Sequence, residues 1–235
     1  MAAVKGEIAG TLSSVRSAVI ISLLAALVVP ASAHAAPELD VELQRATEQY
    51  GAPHTINGKL ADGATALGAQ EIVLEGRRYP YEGSYRVIAR TTTDADGAFT
   101  FKPELDRNHR LRVIASSQTL TSDVLNAYTL PAFDLSFRAL RPGVVRLYQR
   151  YTVPKLVKLD SPTFFYLGSR RATRASIRKT GGLERIKAGR YTSQVTVTLP
   201  EGWDGAFRYA SCFKPTPGTG MGDPNATCPK RGLAF

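Results

Sequence analysis

Histidine is scarce in this chain: there are three in 235 residues, and only His54 and His109 lie beyond residue 35. That scarcity closes most routes to proton-transfer, nucleophilic or zinc chemistry, because imidazole titrates near neutral pH and is the commonest metal ligand. His54 follows Pro53 at a strand entrance and His109 stands beside Asn108 in a turn, so both read as surface residues. No Gly-x-Ser-x-Gly elbow and no His-Glu-x-x-His pair occurs. Gly181-Gly182 and Gly218-Thr-Gly220-Met-Gly222 lack the lysine and helix that phosphate cradling requires. Neither a cofactor nor a metal site is expected.

Cysteine is almost as rare, with two residues, Cys212 and Cys228. In an exported chain an even count predicts a disulfide, worth about 3 kcal/mol for a loop of this length. Zinc is excluded there because the last thirty residues hold no histidine. Long apolar runs are absent after residue 35, so no transmembrane segment is expected in the mature chain. Residues 1–35 have the order of a secretory signal: Lys5 and Arg16, an apolar run from Ala18 to Val29, Pro30, then Ala-Ser-Ala and Ala-His-Ala. Cleavage is expected after Ala35. An uncleaved anchor is the alternative, because the leading segment is long and contains Glu7, although the apolar run falls short of the about 20 residues a span needs.

What is present beyond the leader is period-two alternation. Leu39, Val41 and Leu43 alternate with polar neighbours, as do Ile72 and Leu74, then Tyr85, Val87 and Ala89; Phe99 and Phe101 follow, then Leu111 and Val113. Period two marks half-buried strands. Turn formers separate them at residues 50–53, 61–64, 79–83 and 94–97. About seven short strands over residues 36–130 predict an immunoglobulin-like β-sandwich. The run TTTDADGAFTF, residues 91–101, poses a choice between a calcium loop and a turn. Counted from Asp94 as an EF-hand, the required glycine position holds Phe99 and the bidentate position holds Leu105. Asp94, Asp96 and Gly97 therefore read as a structural turn closing a hairpin between strands at 91–93 and 98–102. A looser calcium site using Asp94, Asp96 and a distant carboxylate is the alternative.

The stretch EIVLEGRRYPYEGSYRVIARTTTDADGAFTF, followed by NHRLRVIAS, resembles secreted bacterial immunoglobulin-like modules. It is also similar to the carboxypeptidase-regulatory-like, transthyretin-like family, in which a TDADGxFxF turn precedes a strand matched here by Leu111-Arg112-Val113. The resemblance covers residues 37–130. It implies a β-sandwich used as spacer or binder, without catalysis of its own.

Residues 131–235 read as a second, basic β-rich domain. Strands are expected at 133–139, 144–151, 164–167, 191–199 and 206–213, followed by an irregular tail pinned by the disulfide. Residues 170–179 read as a further strand carrying Arg170, Arg174 and Arg178 on one face, with Arg171 and Lys179 beside them. Trp203 reads as a core anchor beside a turn, with a carbohydrate-stacking platform as the alternative. Acidic residues are few here: eighteen Lys or Arg face six Asp or Glu, a net +12, whereas residues 36–130 carry ten against thirteen, a net −3. Tyr148, Tyr151, Phe164, Phe165 and Tyr166 are interleaved with the basic residues.

That field attracts polyanions. In an exported chain these are anionic cell-wall polymers or acidic glycans, with no dedicated nucleic-acid partner expected. The arginine-rich strand then forms a polyanion-binding surface of Arg170, Arg171, Arg174, Arg178 and Lys179. The bland alternative is strand-borne charge that solubilises the sandwich and guards its edges. The overall expectation is an exported, non-catalytic structural or adhesive protein, secreted or held at the cell envelope. The rivals are a glycan or ester hydrolase with dispersed carboxylates such as Glu71, Glu75 or Glu82, and an accessory module of a secreted enzyme.

Overall fold

A computed structural model of the chain describes residues 36–203, 206–214, 218–229 and 234. The expected secretory signal lies outside the described residues. Those described are almost entirely β, with one single-turn 3-10 helix at Ser116–Gln118. Among them, no helix is long and apolar enough to cross a membrane.

The first ten strands are β1 Pro37–Leu43, β2 Thr47–Gln49, β3 Ile56–Asp62, β4 Thr65–Ala66, β5 Glu71–Arg78, β6 Arg86–Thr92, β7 Ala98–Phe101, β8 His109–Ala115, β9 Leu120–Thr121 and β10 Leu125–Leu130. Sheet I runs β1-β3-β4 with β7 also on β3; sheet II runs β2-β10-β8-β5-β6 with β9 on β8. Pairing is antiparallel apart from β2 on β10. Alternation explains the sandwich: Ile56, Leu60, Phe99 and Phe101 of sheet I meet Ile72, Leu74, Leu111 and Val113 of sheet II in one core. This is the all-β, immunoglobulin-like architecture that the period-two pattern predicted.

Three details correct the expectation. The Asp94–Gly97 turn exists: Asp94 Oδ1 accepts from the N–H groups of Asp96 and Ala98, and the Gly97 N–H donates to the Asp94 carbonyl. Yet it closes no hairpin, because β6 pairs with β5 in sheet II while β7 pairs with β3 in sheet I. The turn carries the chain from one sheet to the other. Gly97 sits at φ +74, and a Cβ there would lie 2.3 Å from the Leu60 carbonyl oxygen, so only glycine fits. The alternation at Tyr85, Val87 and Ala89 also fails to bury Val87, because a register shift opposite Leu74 and Glu75 makes Ile88 the extra residue and puts Val87 on the outer face opposite Glu75, while Ile88 reaches over Gly76 beside Leu111. Finally, both histidines are buried. His109 opens the interior strand β8 in phase with Leu111 and Val113, so its ring points into the sandwich.

The remaining strands are β11 Ala132–Arg141, β12 Val144–Thr152, β13 Thr163–Ser169, β14 Ile177–Gly181, β15 Leu183–Lys187, β16 Arg190–Thr198 and β17 Phe207–Phe213. Sheet III runs β11-β12-β16-β15 and sheet IV runs β14-β13-β17. Val145, Leu147 and Val197 of sheet III pack on Phe165 and Leu167 of sheet IV, with Trp203 at the margin of that core. Residues 170–179 do not form one strand. Ala172 N–H donates to Ser169 O, Ser176 N–H to Leu167 O, and only Ile177 onward pairs with β13. Arg170, Arg171 and Arg174 therefore belong to the loop of a β13–β14 hairpin.

A third core cluster joins Tyr151, Val153, Val157, Leu159 and Tyr191 to Met221 of the C-terminal tail, with Tyr50 packed against it. The tail is thus not merely irregular. Asn108 donates from Nδ2 to the Gly222 carbonyl at 2.7 Å and accepts on Oδ1 from the Thr129 N–H at 2.9 Å. Its own N–H donates to the Gly220 carbonyl, and the Gly222 N–H donates to the Thr129 carbonyl. Further along, Cys228 is bonded to Cys212 of β17, with their Cα atoms 5.6 Å apart. Cys212 pairs with Phe164, on the face of sheet IV opposite its core, so the bond lays the tail over that face. There the buried Tyr166 hydroxyl donates to the Pro229 carbonyl.

Removing the Asn108 carboxamide strands a buried amide and a buried carbonyl at once. Asn108→Ala is expected to cost about 3 kcal/mol in urea unfolding, whereas Asn126→Ala, at an exposed position, changes stability little.

Candidate functional site

The β13–β14 hairpin ends in the loop that carries Arg170, Arg171 and Arg174, all exposed. Arg208 of β17, opposite Gly168, donates from Nη1 to the Ala172 carbonyl and braces the loop at 3.4 Å. Trp203 approaches from the segment after β16. Its N–H donates to the Pro200 carbonyl, and the Ala206 N–H donates to the Trp203 carbonyl. The indole rests on the core beneath, as a core anchor should. Its exposed part helps line an open depression of about 710 Å³ together with Ser169, Arg170, Arg171, Gly202 and Ala206. Among the described residues, no ion pair engages either arginine. An aromatic surface beside two exposed guanidinium groups can stack a sugar ring and hold its carboxylate or phosphate.

The expected single basic face is not formed. Arg178 lies on β14 with its guanidinium 4.0 Å from the centroid of the Phe164 ring. Lys179, the next residue along the strand, points to the opposite side. Arg174 faces Ala234 across an isolated bridge. Spacing of four is common to helix and strand faces, and here a loop interrupts it before either can form.

Two further basic and aromatic surfaces appear. On sheet III, facing away from the core, Arg138 stands opposite Arg146, Ser136 opposite Tyr148, and Asp134 opposite Arg150. On the outer side of sheet II, Arg77 and Arg112 lie over the Tyr85 ring at 4.9 and 4.3 Å, and Arg110 lies over Tyr81 at 4.6 Å. The second set escaped sequence reasoning because the first half of the chain is net acidic. Its signal was the register of Arg77, Arg110 and Arg112 with Glu75, which places all four on one face. Arg112 is already taken by Glu75 at 2.7 Å, and Glu71 binds Arg90 at 2.8 Å. Among the described residues, no three His, Cys, Asp or Glu side chains converge as metal ligands.

No family model matches the chain, and no curated protein matches it in sequence. Among solved structures, it is similar to Escherichia coli alpha-2-macroglobulin activated by porcine elastase, at 9% identity and a TM-score of 0.35, over 77% of this chain and 22% of that one. It is also similar to the native conformation of E. coli alpha-2-macroglobulin, at 15% identity and a TM-score of 0.31, over 77% of this chain and 12% of that one. The chain thus corresponds to less than a quarter of the length of either protein.

The histidines are an electrostatic feature of the fold rather than of this depression. His54 is fully buried, and among the described residues its ring nitrogens make no hydrogen bond of good geometry, only a weak contact with the Arg45 backbone. His109 Nδ1 donates to the Arg107 carbonyl at 2.8 Å, which fixes its proton on that nitrogen. Burial pushes both imidazoles below their ordinary value, His54 against the weaker pull of Glu48. A lowered native value means that the unfolded chain binds protons more readily. Stability is therefore complete above the unfolded value of 6.5 and falls as pH drops through it toward the lowered native values. Urea midpoints measured from pH 8 to pH 5 should decline, and His54→Leu should flatten the decline.

Proposed function

We propose that the chain is an exported, non-catalytic β-protein of the cell envelope whose basic half holds an anionic polymer at the Trp203 depression. The observation that carries this reading is the placement of Arg170 and Arg171 beside Trp203 around one open hollow. The ligand chemistry is an acidic glycan or a phosphate-bearing wall polymer, repeating units of which offer both a ring face and an anion. The Cys212–Cys228 bond supports an oxidising compartment. The engagement of Glu71 and Glu75 by arginines leaves neither poised as half of an acid–base pair.

Residues 36–130 serve in this reading as a carboxypeptidase-regulatory-like spacer module, with Asp94, Asp96 and Gly97 as its inter-sheet turn. Residues 131–235 form the binding domain, and the leader directs export.

Retention of the purified chain on an immobilised acidic polysaccharide at physiological salt tests the contact. Arg170→Ser with Arg171→Ser is expected to weaken binding by about tenfold or more, since a contact to a charged group is worth roughly 1.5 kcal/mol or more. Trp203→Phe should weaken it less. Unchanged retention in the arginine double variant would remove this hollow as the site.

A further inference from the structure

Strand β11 is an open edge. It pairs with β12 on one side only, and among the described residues nothing pairs with the other side of its backbone. The strand is ten residues long. Natural sheets blunt such edges with bulges, prolines or inward-pointing charges. Residues 132–138 carry none of these: the register shift comes only after Ala139, and the inward positions are Phe133, Leu135 and Phe137. Phe133 is 44% exposed and Phe137 47%, high values for residues facing a core. Phe137 is flanked by Phe207 and Tyr209 of β17, with ring centroids 5.2 and 5.4 Å away, so the apolar edge extends onto the facing sheet.

We propose that this edge pairs with the same edge of a second copy, antiparallel and centred on Ser136. The sequence of the strand is self-complementary about that residue. With Ser136 opposite Ser136 of the second copy, Asp134 stands opposite Arg138 of the second copy, and Arg138 opposite Asp134. Leu135 meets Phe137, twice, and Phe133 meets Ala139, twice. Facing residues of an antiparallel pair share a side of the sheet, so the two charge pairs form on the outer face and the apolar pairs continue the inner one. A shift of the centre by one residue puts Asp134 opposite Leu140 or Ser136, losing both charge pairs. Within one copy Arg138 faces Arg146, an unfavourable like-charge pair that the second copy's Asp134 relieves. The contact is isologous and closes on itself, so it makes a dimer rather than a fibre. It joins two four-stranded sheets into one.

Sedimentation equilibrium and cysteine cross-linking test this on the whole chain. The wild type is expected to dimerise. Asp134→Arg or Arg138→Asp alone should weaken the dimer by about tenfold or more, because each puts two like-charge pairs at the seam. The two changes together restore both pairs with reversed sign and should return most of the affinity. Ser136→Cys removes no charge and should cross-link spontaneously across the twofold axis. Arg138→Cys should not, because its two copies are offset by four residues, about 13 Å, beyond the roughly 7 Å that a disulfide spans. A wild type that stays monomeric at every concentration overturns the proposal. So does a double reversal no tighter than the single variants, or an Arg138→Cys chain that links as readily as Ser136→Cys.

Discussion

The carboxamide of Asn108 is buried with both ends occupied, its nitrogen on the Gly222 carbonyl and its oxygen on the Thr129 amide. Through it, a tail segment from beyond the last strand is held against a loop between β7 and β8 and against the end of β10. Two sandwiches built from separate stretches of chain acquire a shared core this way, since the same segment inserts Met221 among Tyr151, Val157 and Tyr191. A buried amide tolerates no half-measures: either both groups find partners or the desolvation cost is uncompensated. The tail is therefore as much a structural element as any strand. The Cys212–Cys228 bond has a different task, holding the segment beyond it over Tyr166 on sheet IV.

Sandwich geometry also decides where charge can go. Every second residue of a strand is committed to the core, so the arginines on these strands occupy the alternate positions and face water. Several are pinned by aromatic faces: Arg77 and Arg112 by Tyr85, Arg110 by Tyr81, Arg178 by Phe164. A pinned guanidinium loses less freedom on binding an anion than an untethered one. Pinning alone does not make a site, however. Arg112 is neutralised by Glu75, and Arg150 lies 3.3 Å from Asp134.

Much of this architecture was legible in the sequence where the determinant is local. Leu39, Val41 and Leu43, or Ile72 and Leu74, announce their strands because alternation is a property of neighbours. The turn at Asp94 to Gly97 was legible for the same reason, through side-chain capping and positive φ. Which sheets its flanking strands join was not, because β6 pairs with the nearby β5 whereas β7 pairs with β3, 39 to 45 positions earlier in the chain. His109 was within reach, since stepping back two residues from Leu111 and Val113 puts it on the buried face. His54 was within reach in the same way, two residues before Ile56 and in phase with Ile56 and Leu60, although it lies just ahead of the first residue of β3. The arginines at 170, 174 and 178 misled because a spacing of four suits several conformations, and the loop between Ser169 and Ser176 follows from backbone hydrogen bonds. Asn108 and Met221 carry no pattern at all, being polar and apolar residues in loops whose partners lie over 100 and up to about 170 positions apart along the chain.

The loop arginines differ from the sheet-borne ones in a way that bears on the kind of ligand they suit. Arg170 and Arg171 are exposed, and among the described residues neither is stacked on a ring or held in an ion pair. Each contact they make loses part of its gain to ordering a long side chain. A single small anion bound by two such groups would be held weakly. A polymer recovers the loss by repetition, because once one unit is seated the next anion arrives at a high effective concentration. Trp203 supplies what the arginines lack, a surface already fixed by the core beneath it. In the proposed reading, one aromatic surface held by the core and two exposed arginines suit a repeating acidic chain better than a discrete ligand, with the salt sensitivity of binding on the loop and its salt-resistant part on the indole.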